Sequence, residues 1–527
     1  MIDARVPAVK SQTLITLSVL VLGIFIAWQL AQEITANDTR TLTFAAAGFV
    51  GVVAAVTILR NWRSGFYLFF VWMLFEDLFR KYMGNGLALF FGKDILVALV
   101  YISLFAAIRQ GREKRFQPPF LLFLGLFFLL GAVQVFNPNS PHILYGLLGF
   151  KTYFYYIPLM YAGYCLFRSD EDLRKFLLVN AVLGGSIAAL GIAQAILGNS
   201  FLNPTKLAPE LQDLGNLEKA TPISNQLFSL PDSVFVSAGR FDLFLILAFI
   251  LTLGGAGYLL LSGLGGRNTV ISTIGVIGVA TLLSGNRGAV MFVLISCLVL
   301  VVGFLWGAPW RQRRVHRIMK AIRRSVIVGG MAIALLLLLF PQEAGSRIAY
   351  YAETLLPGSS ASQLQSRTWD YPVQNFLDSF SRPNWILGNG IGTASLGVQY
   401  VAKITGQKVP ELWVEEGYGV LIVEMGIVAP ILWILWTGAL LYSSWSIVRR
   451  LRQTRFFPFA FAIFWFAFLL LYPMTFGGLS AYQNYTNNIY LWLLLGILFR
   501  LPEIHASTPN VFQPSQRRKV LRSGTTG

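Results

Sequence analysis

Lys93, Lys151, Arg240 and Arg287 lie inside, or at the ends of, stretches that are otherwise apolar. Burying an ionised side chain in hydrocarbon is costly, so such groups mark a partner or a ligand. Brought together, the four would make a site for a phosphate or pyrophosphate, with the arginines giving two-pronged hydrogen bonds to its oxygens. The plainer alternative pairs each with a nearby acid such as Asp94, Asp242 or Glu76. Arg80 and Lys81, at the end of their apolar stretch, read as snorkelling side chains. Arg287 is flanked by Gly285 and Gly288, a turn able to present backbone N–H groups as well as a guanidinium to an anion. Capping or packing is the competing role. Arg367 is followed by Trp369, which either anchors the segment or stacks on a ring, while a helical pairing of Arg367 with Asp370 competes. Glu415 and Glu416 stand just before an apolar run. A carboxylate there becomes a general base if burial raises its pKa, and the start of a helix favours an acid in any case. Glu424, two helical turns on, contacts a ligand or fixes a neighbouring helix.

Other chemistry lacks its residues. No Walker A motif is present, so ATP hydrolysis is not indicated. Gly263–Gly266 is a turn. His142, His316 and His505 are far apart, and Cys165 and Cys297 have no ligand spacing, so neither a metal nor a cofactor is expected.

The elements that must position these groups are membrane helices. Over 527 residues, 55% are hydrophobic and only 13% charged, with 42 Phe, 20 Tyr and 13 Trp. Apolar stretches approach or exceed the roughly 20 residues that span hydrocarbon, and they lack the alternation of barrel strands. Helices are expected near 12–30, 41–59, 65–80, 87–108, 119–136, 144–166, 174–197, 240–262, 268–284, 287–307, 325–340, 417–443, 457–475 and 486–500. The pair around residue 285 could instead be one broken unit. The fold class is therefore all-α and polytopic, with about fourteen helices and a large external loop bearing short helices near 343–356 and 361–380. Four regions follow: a bundle over 1–340 with a polar loop at 199–239, the loop 341–416, further helices over 417–500, and a basic tail over 501–527. The first apolar stretch resembles a signal peptide but lacks its exit and reads as a retained helix.

The net charge of +18 has a sided distribution. With the N-terminus placed inside, 28 of the 42 Lys and Arg fall on inner segments beside six acids, giving +22 there and −4 elsewhere. This is the positive-inside pattern, and it puts both termini in the cytoplasm. It accounts for the basic composition without nucleic acid. The cluster at 311–324 is a topology signal that could also meet anionic lipid headgroups.

Three stretches resemble the bacterial O-antigen ligase and polysaccharide polymerase superfamily. They are Leu283-Ser284-Gly285-Asn286-Arg287-Gly288-Ala289; Ser366-Arg367 with Trp369, Pro383 and Ile386-Leu387-Gly388-Asn389-Gly390-Ile391-Gly392; and Glu415-Glu416-Gly417 leading to Glu424-Met425-Gly426. The resemblance covers roughly 140–443. It implies glycosyl transfer on the outer face of a bacterial inner membrane, without metal. The implied donor is a glycan on undecaprenyl pyrophosphate, and the acceptor a glycan or lipid; membrane lipids and a chain-length regulator are further implied partners. Arg287, Arg367, Glu415 and Glu416 would be catalytic. Arg240, Lys93, Lys151, Trp369 and Glu424 would bind substrate. Ligases of the family carry His-Asn nine and eight residues before the Glu of E-x-G; here those positions are Glu415 and Glu416. The departure favours a polymerase over a ligase, and a lipid-linked glycan flippase is the alternative of another class.

Overall fold

The computed structural model describes residues 39–84, 86–204, 207, 211, 217–309, 330–331, 334 and 337–507. The expected first helix at 12–30, the basic cluster 311–324, most of the helix at 325–340 and the tail from 508 lie outside them. The described residues are mostly helical. Seven helices are long and apolar enough to cross a bilayer, as in a polytopic membrane protein.

The chain divides into two compact units. The first holds α1 (Thr39–Arg60) and residues 62–72 and 91–109 of α2 (Trp62–Met83) and α3 (Leu87–Arg109). Within it, Gly65 lets α2 close on Ile58, and Phe66 packs edge-on against Phe69 with ring centroids 6.1 Å apart. Lys93 is buried in this unit.

The second unit holds residues 73–90 and everything from 113 onward. It contains α4 (Leu121–Gln134), α5 (Ile143–Phe154), α6 (Leu159–Leu166), α7 (Asp170–Leu197), a hairpin of β1 (Glu218–Ala220) and β2 (Leu227–Ser229), α8 (Ala238–Ser262), α9 (Arg267–Leu283) and α10 (Arg287–Gly307). Then follow α11 (Pro341–Leu355), a π-helical turn at 366–370, α12 (Tyr371–Asp378), α13 (Val398–Thr405), α14 (Gly417–Met425), α15 (Val428–Arg450), α16 (Phe457–Leu469) and α17 (Tyr485–Ser507).

Local chemistry sets the boundaries. Ser169 and Asp172 form a reciprocal capping box at the start of α7. The expected single helix over 144–166 is two, because Pro158 has no N–H to continue the ladder after α5. The expected helix over 417–443 is also two, broken at Gly426, whose φ is +84°. The last helix runs on to Ser507, past the expected end at 500. The 268–284 and 287–307 pair is two helices, parted at Ser284–Asn286. The helix expected over 361–380 is divided by the π-helical turn.

Two packing devices hold the unit. Gly163 of α6 lies against the carbonyl of Leu493, and Gly496 of α17 against the carbonyl of Met160, so the two backbones touch where any side chain would intrude. The second device is residues 386–396, an irregular segment buried against the break between α14 and α15. Gly388 and Gly392 take φ of +86° and +90°. A Cβ at Gly388 would strike the backbone of Met425 and Gly426, and one at Gly392 that of Gly149. Asn389 N donates to Val423 O at 2.9 Å and Gly390 N to Glu424 O at 3.0 Å. The carbonyls left open at the end of α14 are thereby met. Irregular backbone survives among apolar helices only when protein surrounds it in this way.

Candidate functional site

The 341–416 segment brings three of the expected residues onto one ladder. Arg287, the first residue of α10, donates from Nη1 to Gln363 Oε1 at 2.7 Å. One helical turn on, Arg367 N donates to Gln363 O at 2.9 Å, and the Arg367 guanidinium lies 4.8 Å from the Tyr371 ring centroid. The Glu415 carboxylate beside the Tyr371 hydroxyl holds that phenol above its ordinary pKa. Glu415 N donates to Asn375 Oδ1 at 3.4 Å. Gln363, Arg367, Tyr371 and Asn375 thus recur every fourth residue, meeting Arg287 at one end and Glu415 at the other. The π-helical turn 366–370 lies within the run; such turns often mark functional sites. Among the described residues, neither Arg287 nor Arg367 forms an ion pair, so the competing pairing of Arg367 with Asp370 is absent. Trp369 is 63% exposed, with its ring 6.0 Å from that of Phe476.

The turn at Arg287 corrects one expectation. Its backbone N–H groups are not presented to an anion, because Asn286 Oδ1 accepts from Gly288 N at 2.8 Å and Ala289 N at 3.4 Å. Gly285, at φ +71°, lets the turn close on Phe228 and Leu230. The guanidinium is therefore the group this turn offers.

The adjacent glutamates are unlike. Glu415 is exposed, whereas Glu416 is buried and caps α14, accepting from Tyr418 N at 2.9 Å and Gly419 N at 2.6 Å. Burial pushes its carboxyl up to about 7, against the pull of those two N–H groups. Gly417 allows a close approach: its backbone lies against Thr475 O.

Glu424 is engaged within the protein. It is fully buried, with Oε1 accepting from Ser395 Oγ at 2.6 Å and Ala394 N at 2.9 Å, and Oε2 from Tyr153 Oη at 2.8 Å. It fastens the 386–396 segment, the helix-fixing role of the two weighed for it.

Arg240 and Lys151 belong to a second group. Arg240 Nη1 pairs with Asp77 Oδ2 at 2.7 Å and lies 5.3 Å from the Tyr485 ring centroid. Arg80 takes the other oxygen of Asp77 at 2.7 Å, donates to Tyr400 Oη at 2.7 Å, and covers Phe90 at 5.2 Å. Lys151 Nζ lies 5.0 Å from the same ring. The snorkelling reading of Arg80 and Lys81 fails: they are 1% and 3% exposed, and Lys81 pairs with Asp232 at 2.8 Å. The two groups are linked at the starts of α8 and α10. Asn286 Nδ2, beside Arg287, donates to Asp242 Oδ2 at 2.7 Å, two residues from Arg240. Of the four cations expected to converge, Arg240 and Lys151 share a group and Arg287 stands in the ladder.

Sequence reading missed Gln363, Tyr371 and Asn375, although their four-residue spacing from Arg367 was visible. It also missed Tyr400 and Tyr485, which no local pattern ties to Arg80 or Arg240.

Comparison of the chain with family models, with curated proteins and with solved structures finds no match.

Proposed function

We propose that this chain is a membrane glycosyltransferase that polymerises undecaprenyl-pyrophosphate-linked oligosaccharide repeats on the outer face of the cytoplasmic membrane. The carrying observation is the ladder itself: two guanidiniums without acid partners among the described residues, one polar helical run between them, and an exposed carboxylate at its far end. In this reading Arg287 and Arg367 take the diphosphate. The acceptor hydroxyl oxygen attacks the anomeric carbon, and the bond from that carbon to the pyrophosphate oxygen breaks. The electron pair leaves with the pyrophosphate, where the guanidiniums stabilise the growing charge. Glu415 takes the acceptor proton. Trp369, exposed beside Arg367, offers a face to a sugar ring. Glu416 holds the start of α14 beneath. Arg240, already matched by Asp77, has a supporting place.

The polymerase form is preferred to the ligase form because Glu415 and Glu416 stand where ligases carry His-Asn. The same reading gives the chain about fourteen helices, with 341–416 outside and both termini inside. Cysteines at Ser360 and Ser366 should then react with an impermeant reagent on intact cells, and one within 311–324 should not. Protection at the first two with reaction at the third overturns this topology.

Polymer formation from purified lipid-linked donor in detergent, with a chelator present, tests the chemistry. Arg287→Ala and Arg367→Ala should each lower the rate by about 10²–10³-fold. The lysine variants should retain part of it, keeping charge but losing the fork. Full activity in both alanine variants overturns the assignment, and loss of wild-type activity to the chelator overturns the metal-free reading.

A further inference from the structure

Beside the hairpin the described residues line a half-open cavity of about 580 Å³ with a mixed polar and apolar wall, between the end of α7 with residues 198–204, the hairpin itself and the first turns of α11. Arg347 stands in its wall and is only 1% exposed. Its Nη1 donates to Glu343 O at 2.6 Å and its Nη2 to Ser229 O at 2.7 Å. Its Nε is buried and makes no hydrogen bond. Asn199 Oδ1, in the same wall, is likewise buried and unmatched. A buried donor and a buried acceptor left open are costly, so these two side chains have reason to turn toward a group in the cavity.

We propose that this cavity binds a short, uncharged oligosaccharide. A hydroxyl both donates and accepts, so a sugar entering the cavity offers a partner to Arg347 and to Asn199 when their side chains turn toward it. An anion is disfavoured because the carboxylate-bearing residues Glu218 and Glu343 line the same wall against one guanidinium. Ser200 and Ser346 add hydroxyls, and Leu227 gives an apolar edge for the face of a ring. The volume falls within the roughly 300–1,000 Å³ of small-molecule sites. Phe228, which lines the cavity, also packs on Gly285, so the cavity shares a wall with the turn that carries Arg287. The proposal stands on these groups and does not require the diphosphate role of that arginine.

The test uses the full chain in phospholipid nanodiscs and saturation-transfer NMR with cellotriose, maltotriose, chitotriose and mannotriose. At least one should bind at about 10 mM or below. Ser200→Trp, an exposed position at the cavity wall, should weaken it by at least about tenfold without touching the fold. Arg347→Met should abolish it. Arg287→Ala and Arg367→Ala should leave it unchanged, which separates this site from the transfer reaction. The proposal is overturned if none of the four binds, if Ser200→Trp has no effect, or if inorganic pyrophosphate displaces the sugar in the Arg287→Ala, Arg367→Ala double variant.

Discussion

Two pairs of arginines in the second unit are built from the same side chain and put to opposite uses. Arg80 and Arg240 divide the oxygens of one buried aspartate, and a ring lies against each guanidinium. Arg287 and Arg367 meet an amide and a tyrosine ring and, among the described residues, no carboxylate. The first pair is compensated inside the protein, so its charge serves to hold α2, α8 and α13 in place. The second pair has charge and hydrogen-bonding capacity left over, which is what recognition of a dianion requires. Burial alone thus misleads as a guide to function: Arg240 and Arg287 are both half-buried, yet of the two only Arg240 has a carboxylate partner among the described residues.

The comparison can be broken most forcefully at Asp77. Replacing it by Ala leaves two guanidiniums without their shared counter-charge and also removes the acceptor of Val236 N at 3.3 Å. Loss of one partner from a buried ion pair costs about 3–5 kcal/mol. Thermal unfolding in detergent should show that loss, while Arg287→Ala and Arg367→Ala should unfold with wild-type midpoints and lose activity instead. A wild-type midpoint for Asp77→Ala would end the distinction between the pairs.

A smaller effect separates the two adjacent glutamates. Glu416 is buried and holds its proton up to about 7, whereas a glutamate in the unfolded chain releases it near 4.5. Between those values the folded state binds the extra proton. Its contribution to stability is therefore fully present below pH 4.5, declines as pH rises through this window, and is gone above about 7. Glu416→Gln removes the titration, so the stability of wild type relative to this variant should fall from pH 4.5 to 7 and then level. Unfolding midpoints across that range check it; a constant difference refutes the buried cap. Glu415→Gln, at the exposed position, should leave that profile unaltered and lower polymer formation.

The membrane helices were legible because apolar length is a local property of the chain. Helix breaks were legible only where a breaker stands in view. Pro158 and Gly426 were both visible, yet continuous apolar runs hid them, since hydrocarbon length is the same for one helix or two halves. Arg287, Arg367, Trp369 and Glu415 were singled out from residue type and neighbours. Gln363, which joins the two arginines, was not found, because an amide draws no notice until its partner 76 positions away is known. Arg80 was misread for the reciprocal reason. Its place at the end of an apolar stretch fits snorkelling, and only the fold brings Tyr400, 320 positions away, against it.

The finest test of the comparison lies at Tyr371, where the ladder joins cation to carboxylate. Its ring receives the Arg367 guanidinium at 4.8 Å and its hydroxyl feels the Glu415 carboxylate. An exposed cation–ring contact is worth only about 0.5–1 kcal/mol, so the tyrosine orients its neighbours rather than holding the fold. Tyr371→Phe keeps the ring and frees the carboxylate; Tyr371→Leu removes the ring as well. With Glu415 as base, the first variant should lower the rate of polymer formation by less than about tenfold with donor affinity unchanged. The second should add a loss of donor affinity of about two- to fivefold, because Arg367 is no longer steered. In an Arg367→Ala background the Phe-to-Leu difference should vanish, since the ring then has no guanidinium to orient. A difference that survives in that background would show that Tyr371 acts on something other than the arginine, and would detach Arg367 from the ladder that links it to Glu415.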